Sequence, residues 1–236
     1  MSDRPSARDD VRARIVDVAL TLLRDEGAAA VTTRAVADRA GVQAPTIYRQ
    51  FGDKDGLLDA VVEQVMATYV AAKTEIVAAA TEAEVDPVEE LREAWDAQIA
   101  FGLANPSLFG LVTDPERARR SPAARSGVHV LRARVHRVAL AGRLRVAEER
   151  AVGMIQAAGV GAVLAMLSRD PDDRDEGLAE ELADALFGRI IGDAPAQADR
   201  AATLVAFRAV APELPGLTAG ERAVLLEWVD RAIVES

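Results

Sequence analysis

Apolar residues recur at three- and four-residue spacing along most of the chain, the period that lines one face of an α-helix. Val11, Ile15, Val18, Ala19, Leu22 and Leu23 form the first stripe. They predict a helix that starts from a cap at Asp9 or Asp10 and runs to about Glu26, where Gly27 ends it. Val36, Ala37 and Ala40 form a shorter stripe behind Thr32 and Thr33, either of which can cap it. Gly41 then stands where the chain must turn, since glycine accepts the left-handed backbone of a helix end at little cost. A second short helix carries Pro45 in its first turn, where a missing N–H is harmless. Its inward residues are Val42, Ile47 and Phe51, and its outward residues are Gln43, Thr46, Tyr48, Arg49 and Gln50. Asp53 caps a fourth, longer helix with Leu58, Val61, Val62, Val65, Met66, Tyr69, Val70 and Ile76.

The pattern continues to the C-terminus. An acidic break at Thr81–Asp86 precedes a helix begun by Pro87, with Val88, Leu91, Trp95, Ile99 and Leu103 on its apolar face. Asn105-Pro106 ends it, and Leu108 to Val112 make a short helix. Thr113 to Gly127, rich in Pro, Arg and Ser, reads as a mobile loop whose Arg117, Arg119, Arg120 and Arg125 are either solvated, the favoured reading, or set to meet an anionic ligand. Further helices are predicted over Val128–Leu144, Glu148–Leu167 and Leu178–Ile191, with a solvated acidic loop at Asp170–Glu176. Beyond Gly192, one helix is expected from about Ala196 to Val210. Thr218 and Glu221 have the spacing of a capping box, which opens a last helix. Residues 1–8 read as a flexible arm. No stretch shows the alternation of a half-buried strand, so the fold class is all-α.

Composition sharpens this only in places. Half of the 236 residues are hydrophobic, ample for a core, and aromatics are few at 4%. The absence of cysteine excludes disulfides and thiolate metal sites and suits a reducing cytoplasm. The first ten residues lack the apolar core of a secretion signal. Ala151 to Ser168 is apolar enough to raise the question of a membrane span. Its Gln156, its small residues and its charged flanks favour a buried helix, so no membrane contact is expected. The net charge of −10 argues against nucleic acid until the chain is divided. Residues 1–52 hold eight arginines against seven carboxylates, a balance of +1, which leaves −11 for the remainder. A local cationic face is therefore compatible with an acidic body.

Ala37, Gly41 and Ile47 have the spacing of a helix-turn-helix: a small residue where two helices cross, a turn four residues on, and an apolar plug in the second helix. Its outward face offers an arginine, an amide, hydroxyls and an aromatic, the groups that a DNA major groove accepts. An ordinary helical hairpin that serves protein interaction is the competing reading. An all-helical enzyme is disfavoured, because no nucleophile–base pattern, phosphate loop or metal cluster is legible, and no cofactor is implied. His129 and His136 are seven apart, too far for the usual i, i+4 chelate, and no nearby acid in the sequence completes a metal site.

Ile47-Tyr48-Arg49-Gln50-Phe51, followed by a short polar turn with Lys54, acidic Asp55 and Leu57-Leu58, resembles the signature of the tetracycline-repressor (TetR) family of bacterial transcription regulators. Thr33, Val36, Ala37, Ala40, Gly41 and Val42 fit the same pattern, and the resemblance covers about residues 9–65. It implies a helix-turn-helix domain over 1–52 and a helical effector-binding and dimerisation domain over 53–236, with an extension from about 192. It implies a cytoplasmic, ligand-responsive repressor that binds a near-palindromic double-stranded operator as a homodimer. DNA contacts fall on Thr33, Arg34, Gln43, Ala44, Pro45, Thr46, Tyr48, Arg49 and Lys54. Candidate liners of an effector pocket are Trp95, Gln98, Phe101, Phe109, His129, His136 and Met166, which suggest a largely apolar small molecule. The late helices supply Met154, Ala158, Gly161, Ala162, Ala165, Leu182 and Leu186 as the candidate dimer interface.

Overall fold

The computed structural model of the chain describes residues 7–82, 85–192 and 200–235. Twelve α-helices make up the described residues, joined by short turns and two single 3-10 turns. An isolated antiparallel bridge pairs Leu144 with Ile191. The helices are α1 (Ala7–Glu26), α2 (Thr33–Ala40), α3 (Ala44–Phe51), α4 (Lys54–Glu82), α5 (Pro87–Ala104) and α6 (Pro106–Val112). There follow α7 (Pro115–Arg120), α8 (Pro122–Leu140), α9 (Glu148–Leu167), α10 (Leu178–Ile190), α11 (Arg200–Val210) and α12 (Ala219–Glu235). Most of the expected arm, and the expected start of α11 at Ala196, lie outside the described residues. The first helix begins at Ala7, so Asp9 and Asp10 fall inside it and do not cap it.

Two compact units share the chain. The first comprises residues 1–73 and 104–127, the second 74–103 and 128–236. The first unit thus runs past the 52/53 boundary that the motif suggests, and the reason is apolar burial. Leu57, Leu58, Val61 and Val62 of α4 are buried, as are Ile15, Leu22 and Leu23 of α1, Val36 of α2, Ile47 of α3 and Leu108 and Phe109 of α6. Each fully buried Leu, Ile or Phe contributes about 1.5–3 kcal/mol, so α4 and α6 are as much part of this core as α1.

The region from Thr113 to Gly127 is helical, which corrects its reading as a mobile loop. Asp114 caps α7, its carboxylate accepting from the Arg117 N–H at 2.8 Å. Ser121 caps α8, its hydroxyl accepting from the Ala124 N–H at 3.0 Å. Pro115 and Pro122 each open a helix, where proline is at home. Two caps and two prolines within nine residues look like loop composition, yet they punctuate consecutive helices.

In the second unit, α9 and α10 pack on each other. Ile155, Val163, Leu186, Phe187 and Ile190 are buried, together with Trp95 of α5 and Val135 and Val138 of α8. Trp95 meets Phe187 edge to face, ring centres 5.9 Å apart, and donates its indole N–H to the Ala179 carbonyl at 3.2 Å. α9 is long and apolar enough to cross a membrane, but 39% of its most apolar window is buried inside the protein. A polar knot interrupts the apolar packing. Glu90, 2% exposed, accepts from Arg134 at 3.0 Å and from Arg137. The α11–α12 segment closes with the expected capping box, where the Thr218 N–H donates to the Glu221 carboxylate at 2.8 Å.

Candidate nucleic-acid interface

The site is built on the first unit's second and third helices. Thr32, not Thr33, caps α2: its hydroxyl accepts from the Ala35 N–H at 3.1 Å. Gly41 leaves α2 with φ +65°, and its own N–H and that of Val42 return to the last turn of the helix. That left-handed angle is the physical reason for glycine here. Gln43 opens α3 through its backbone, with no side-chain cap bond, and Pro45 lies in the first turn. Ile47 is fully buried beneath α3 and sets which side faces out.

That outward side carries the residues expected from sequence. Tyr48 is 54% exposed, far more than an aromatic needs for core packing. Its hydroxyl lies 3.4 Å from the Thr33 hydroxyl, which links the two helices at the surface. Arg49 is exposed and reaches the Thr46 hydroxyl at 3.5 Å, a long bond that leaves most of the guanidinium's donors unused. Gln43 and Pro45 are exposed, Ala44 and Thr46 half-buried, and Arg34 is exposed on α2. Lys54 is exposed at the start of α4, its ammonium donating to the Ala28 carbonyl at 3.3 Å. A lysine has three donors, so this contact anchors the side chain and leaves two for an anion. Asp53 caps that helix as expected, accepting from the Gly56 N–H at 2.8 Å.

Arg12 is a contributor that the hydrophobic pattern does not single out. Its guanidinium sits 4.4 Å from the Phe51 ring centre and donates to the Gln50 carbonyl at 3.0 Å. A cation at the C-terminal end of α3 stabilises the helix's negative pole, and the ring fixes where that cation sits. Only tertiary contact between α1 and α3 brings these residues together, 38 positions apart.

Residues 15–61 match the bacterial regulatory proteins of the tetR family. Over that stretch the chain is similar to the TetR family. The tetracycline repressor protein class C of Escherichia coli is 44% identical over 55 residues, which are 23% of this chain and 25% of that protein. The HTH-type transcriptional regulator BetI of a Burkholderia mallei strain is 37% identical over 76 residues, 32% of this chain and 39% of that protein. The likeness to these relatives thus spans well under half of their length. The crystal structure of NalD, the secondary repressor of the MexAB-OprM multidrug efflux pump in Pseudomonas aeruginosa, is 19% identical and superposes with a TM-score of 0.58. That likeness covers 79% of this chain and 99% of NalD, and it speaks for the shared fold alone.

A cavity of about 290 Å³ in the second unit is lined by Arg92, Trp95, Asp96, Glu180, Ala183, Asp184 and Phe187. Trp95 alone of the expected pocket residues lines it. Four charged side chains border it. Gln98 packs against Gly159, where any side chain would displace it. Phe101 is half-buried, Met166 is buried and Phe109 belongs to the first unit. His129 is exposed and lies 3.2 Å from the Arg132 guanidinium. His136 has an acid beside it after all: Glu148 is 3.2 Å from its Nδ1, brought there by the turn between α8 and α9. No group of three metal-ligating side chains forms among the described residues.

The expected interface residues divide by their burial within the chain. Ala162 and Leu186 are buried within the chain, at 1% and 9% exposure, and so take no part in a free surface. Met154, Ala158 and Leu182 are half-buried. Gly161 and Ala165 are exposed, as are Gly153, Ala157 and Leu164. The helical period places these five on one side of α9, so the outward stripe is shifted by about one residue from the expected set.

Proposed function

We propose that this chain is a sequence-specific DNA-binding transcription regulator, a ligand-responsive repressor that acts as a homodimer on a near-palindromic operator. One observation carries the reading: the buried Ile47 turns Tyr48 and Arg49 outward on α3, where neither has a packing role. In a major groove, Arg49 is suited to the acceptor pair on a guanine edge, and Gln43 and Thr46 to neighbouring bases. Ala44 and Pro45 lie in the turn of helix that approaches the bases. Tyr48, Lys54, Thr33 and Arg34 are placed for phosphates, which hold the register without reading sequence. Two copies of α3, one per subunit, would enter successive major grooves about one helical turn apart.

The subunits pair, on this proposal, through α9 and α10. Gly153, Ala157, Gly161 and Ala165 let a partner helix approach closely, and Leu164 supplies the apolar contact. A small molecule bound in the second unit acts on DNA affinity only if it binds two states unequally. α4 runs from Lys54 to Glu82 and carries residues of both units, which makes it the natural element to shift. Such a regulator works in the bacterial cytoplasm, where its DNA is.

The test is fluorescence anisotropy of a labelled duplex with the full chain. Tyr48→Ala and Lys54→Ala weaken binding to all sequences, and Lys54→Ala lowers the salt slope by about 1. Arg49→Ala costs about 1–3 kcal/mol on the preferred sequence and relaxes preference at one position. Equal affinity in all three variants would instead favour a protein-interaction module.

A further inference from the structure

The acids of α4 form a stripe on the first unit that the DNA-binding reading leaves unused. Asp55, Asp59 and Glu63 are spaced four apart, so they stand one above another on a single face of the helix. Every one of them is engaged by residues 117–123. Arg117 donates to the Asp55 carbonyl at 3.2 Å, to the Asp55 carboxylate at 2.7 Å and to the Asp59 carboxylate. Arg120 donates to the other Asp59 oxygen at 3.2 Å. The Ser121 hydroxyl donates to Glu63 at 2.5 Å, and the Ala123 N–H does so at 3.1 Å. The Arg117 side chain is only 14% exposed although it lies on a six-residue helix of the surface.

We infer that Arg117 is a positioning residue for the Lys54 end of α4, fixing the first turn of that helix for phosphate contact. The inference rests on the DNA-binding reading above. The geometry favours it over general electrostatics. One guanidinium spans a backbone carbonyl and two carboxylates in successive turns, which a planar fork can do and a point charge cannot. It grips Asp55, the residue next to Lys54, through the main chain as well as the side chain. The side chain of Lys54 is held on the other flank by the Ala28 carbonyl. The turn that presents the ammonium is thus held from two sides, by groups 26 and 62 residues away in sequence.

The test compares full-length wild type, Arg117→Gln, Arg117→Lys, Asp59→Asn, Lys54→Gln and the Arg117→Gln/Lys54→Gln double variant by anisotropy on one labelled mixed-sequence duplex. Far-UV circular dichroism checks helix content. Positioning predicts that Arg117→Gln and Asp59→Asn both weaken binding, roughly fivefold each, although they change the charge in opposite directions. Arg117→Lys weakens it too, and carries the test if the glutamine variant loses helix. The double variant binds no more weakly than Lys54→Gln alone. Tighter binding by Asp59→Asn, or a full additional loss in the double variant, would overturn the inference and leave DNA binding intact. A wild type that binds no duplex would overturn the DNA-binding reading and this inference with it.

Discussion

Glu90→Gln is the sharpest perturbation of the second unit. The Glu90 carboxylate is 2% exposed and serves two guanidiniums, those of Arg134 and Arg137. The Arg134 side chain is 4% exposed and that of Arg137 is 17% exposed. Arg137 also donates to the Val85 carbonyl at 3.1 Å. An amide keeps the shape but removes the charge, so the buried Arg134 guanidinium loses the carboxylate that it pairs with. Breaking a buried ion pair by deleting one partner costs about 3–5 kcal/mol. Arg137 reaches water and relieves part of this, which places the expected loss near the lower end, about 3 kcal/mol. Both tryptophans of the chain, Trp95 and Trp228, lie in the second unit, so intrinsic tryptophan fluorescence in urea follows that unit alone. The variant's transition shifts to lower urea by about 1–2 M, taking a slope of about 2 kcal/mol per molar. Glu90→Gln within about 1 kcal/mol of wild type would refute the reasoning, because the carboxylate would then not be what keeps Arg134 buried.

Three other outcomes are expected. Thr32→Ala removes the cap of α2 and costs about 1 kcal/mol, read as a lower thermal midpoint for the first unit by hydrogen exchange or circular dichroism. Glu149 is held below the usual glutamate range by its hydrogen bond from Arg132, burial opposing this and the charges of Arg132 and His129 adding to it. A depressed carboxylate stabilises the fold above its unfolded-state value and loses that contribution as pH falls through the folded value. Wild type therefore loses slightly more stability than Glu149→Gln on acidification below about pH 4.5, in urea titrations at a series of pH values. Leu164→Glu, on the exposed stripe of α9, turns the proposed dimer into a monomer in sedimentation velocity without altering its helix content.

Much of the fold is legible in the sequence because its signals are local. The α9 boundaries follow from apolar period, Asp53 and Thr218 announce their caps, and Gly41 and Pro45 mark the turn between α2 and α3. The outward face of α3 is legible for the same reason, since Ile47 fixes it by period alone. What escapes is tertiary. Arg117 looks like a solvated arginine until α4 places Asp55 and Asp59 opposite it. Arg12 gains its role from Phe51, and His136 gains an acid from the α8–α9 turn. The second unit's cavity is lined by pairs such as Arg92 and Asp184, 92 positions apart, whose meeting no periodicity encodes. Ala162 and Gly161 differ by a single residue of helical phase, which decides burial against exposure and lies within the precision of a stripe drawn from sequence.

The central claim, that α3 reads DNA, is tested most directly by selecting random duplexes with the purified full chain at two salt concentrations, alongside Tyr48→Ala. If α3 reads bases, a near-palindrome is enriched with half-sites about one helical turn apart, more strongly at low salt and not at all with Tyr48→Ala. No enrichment at either salt, or the same enrichment with Tyr48→Ala, would contradict it.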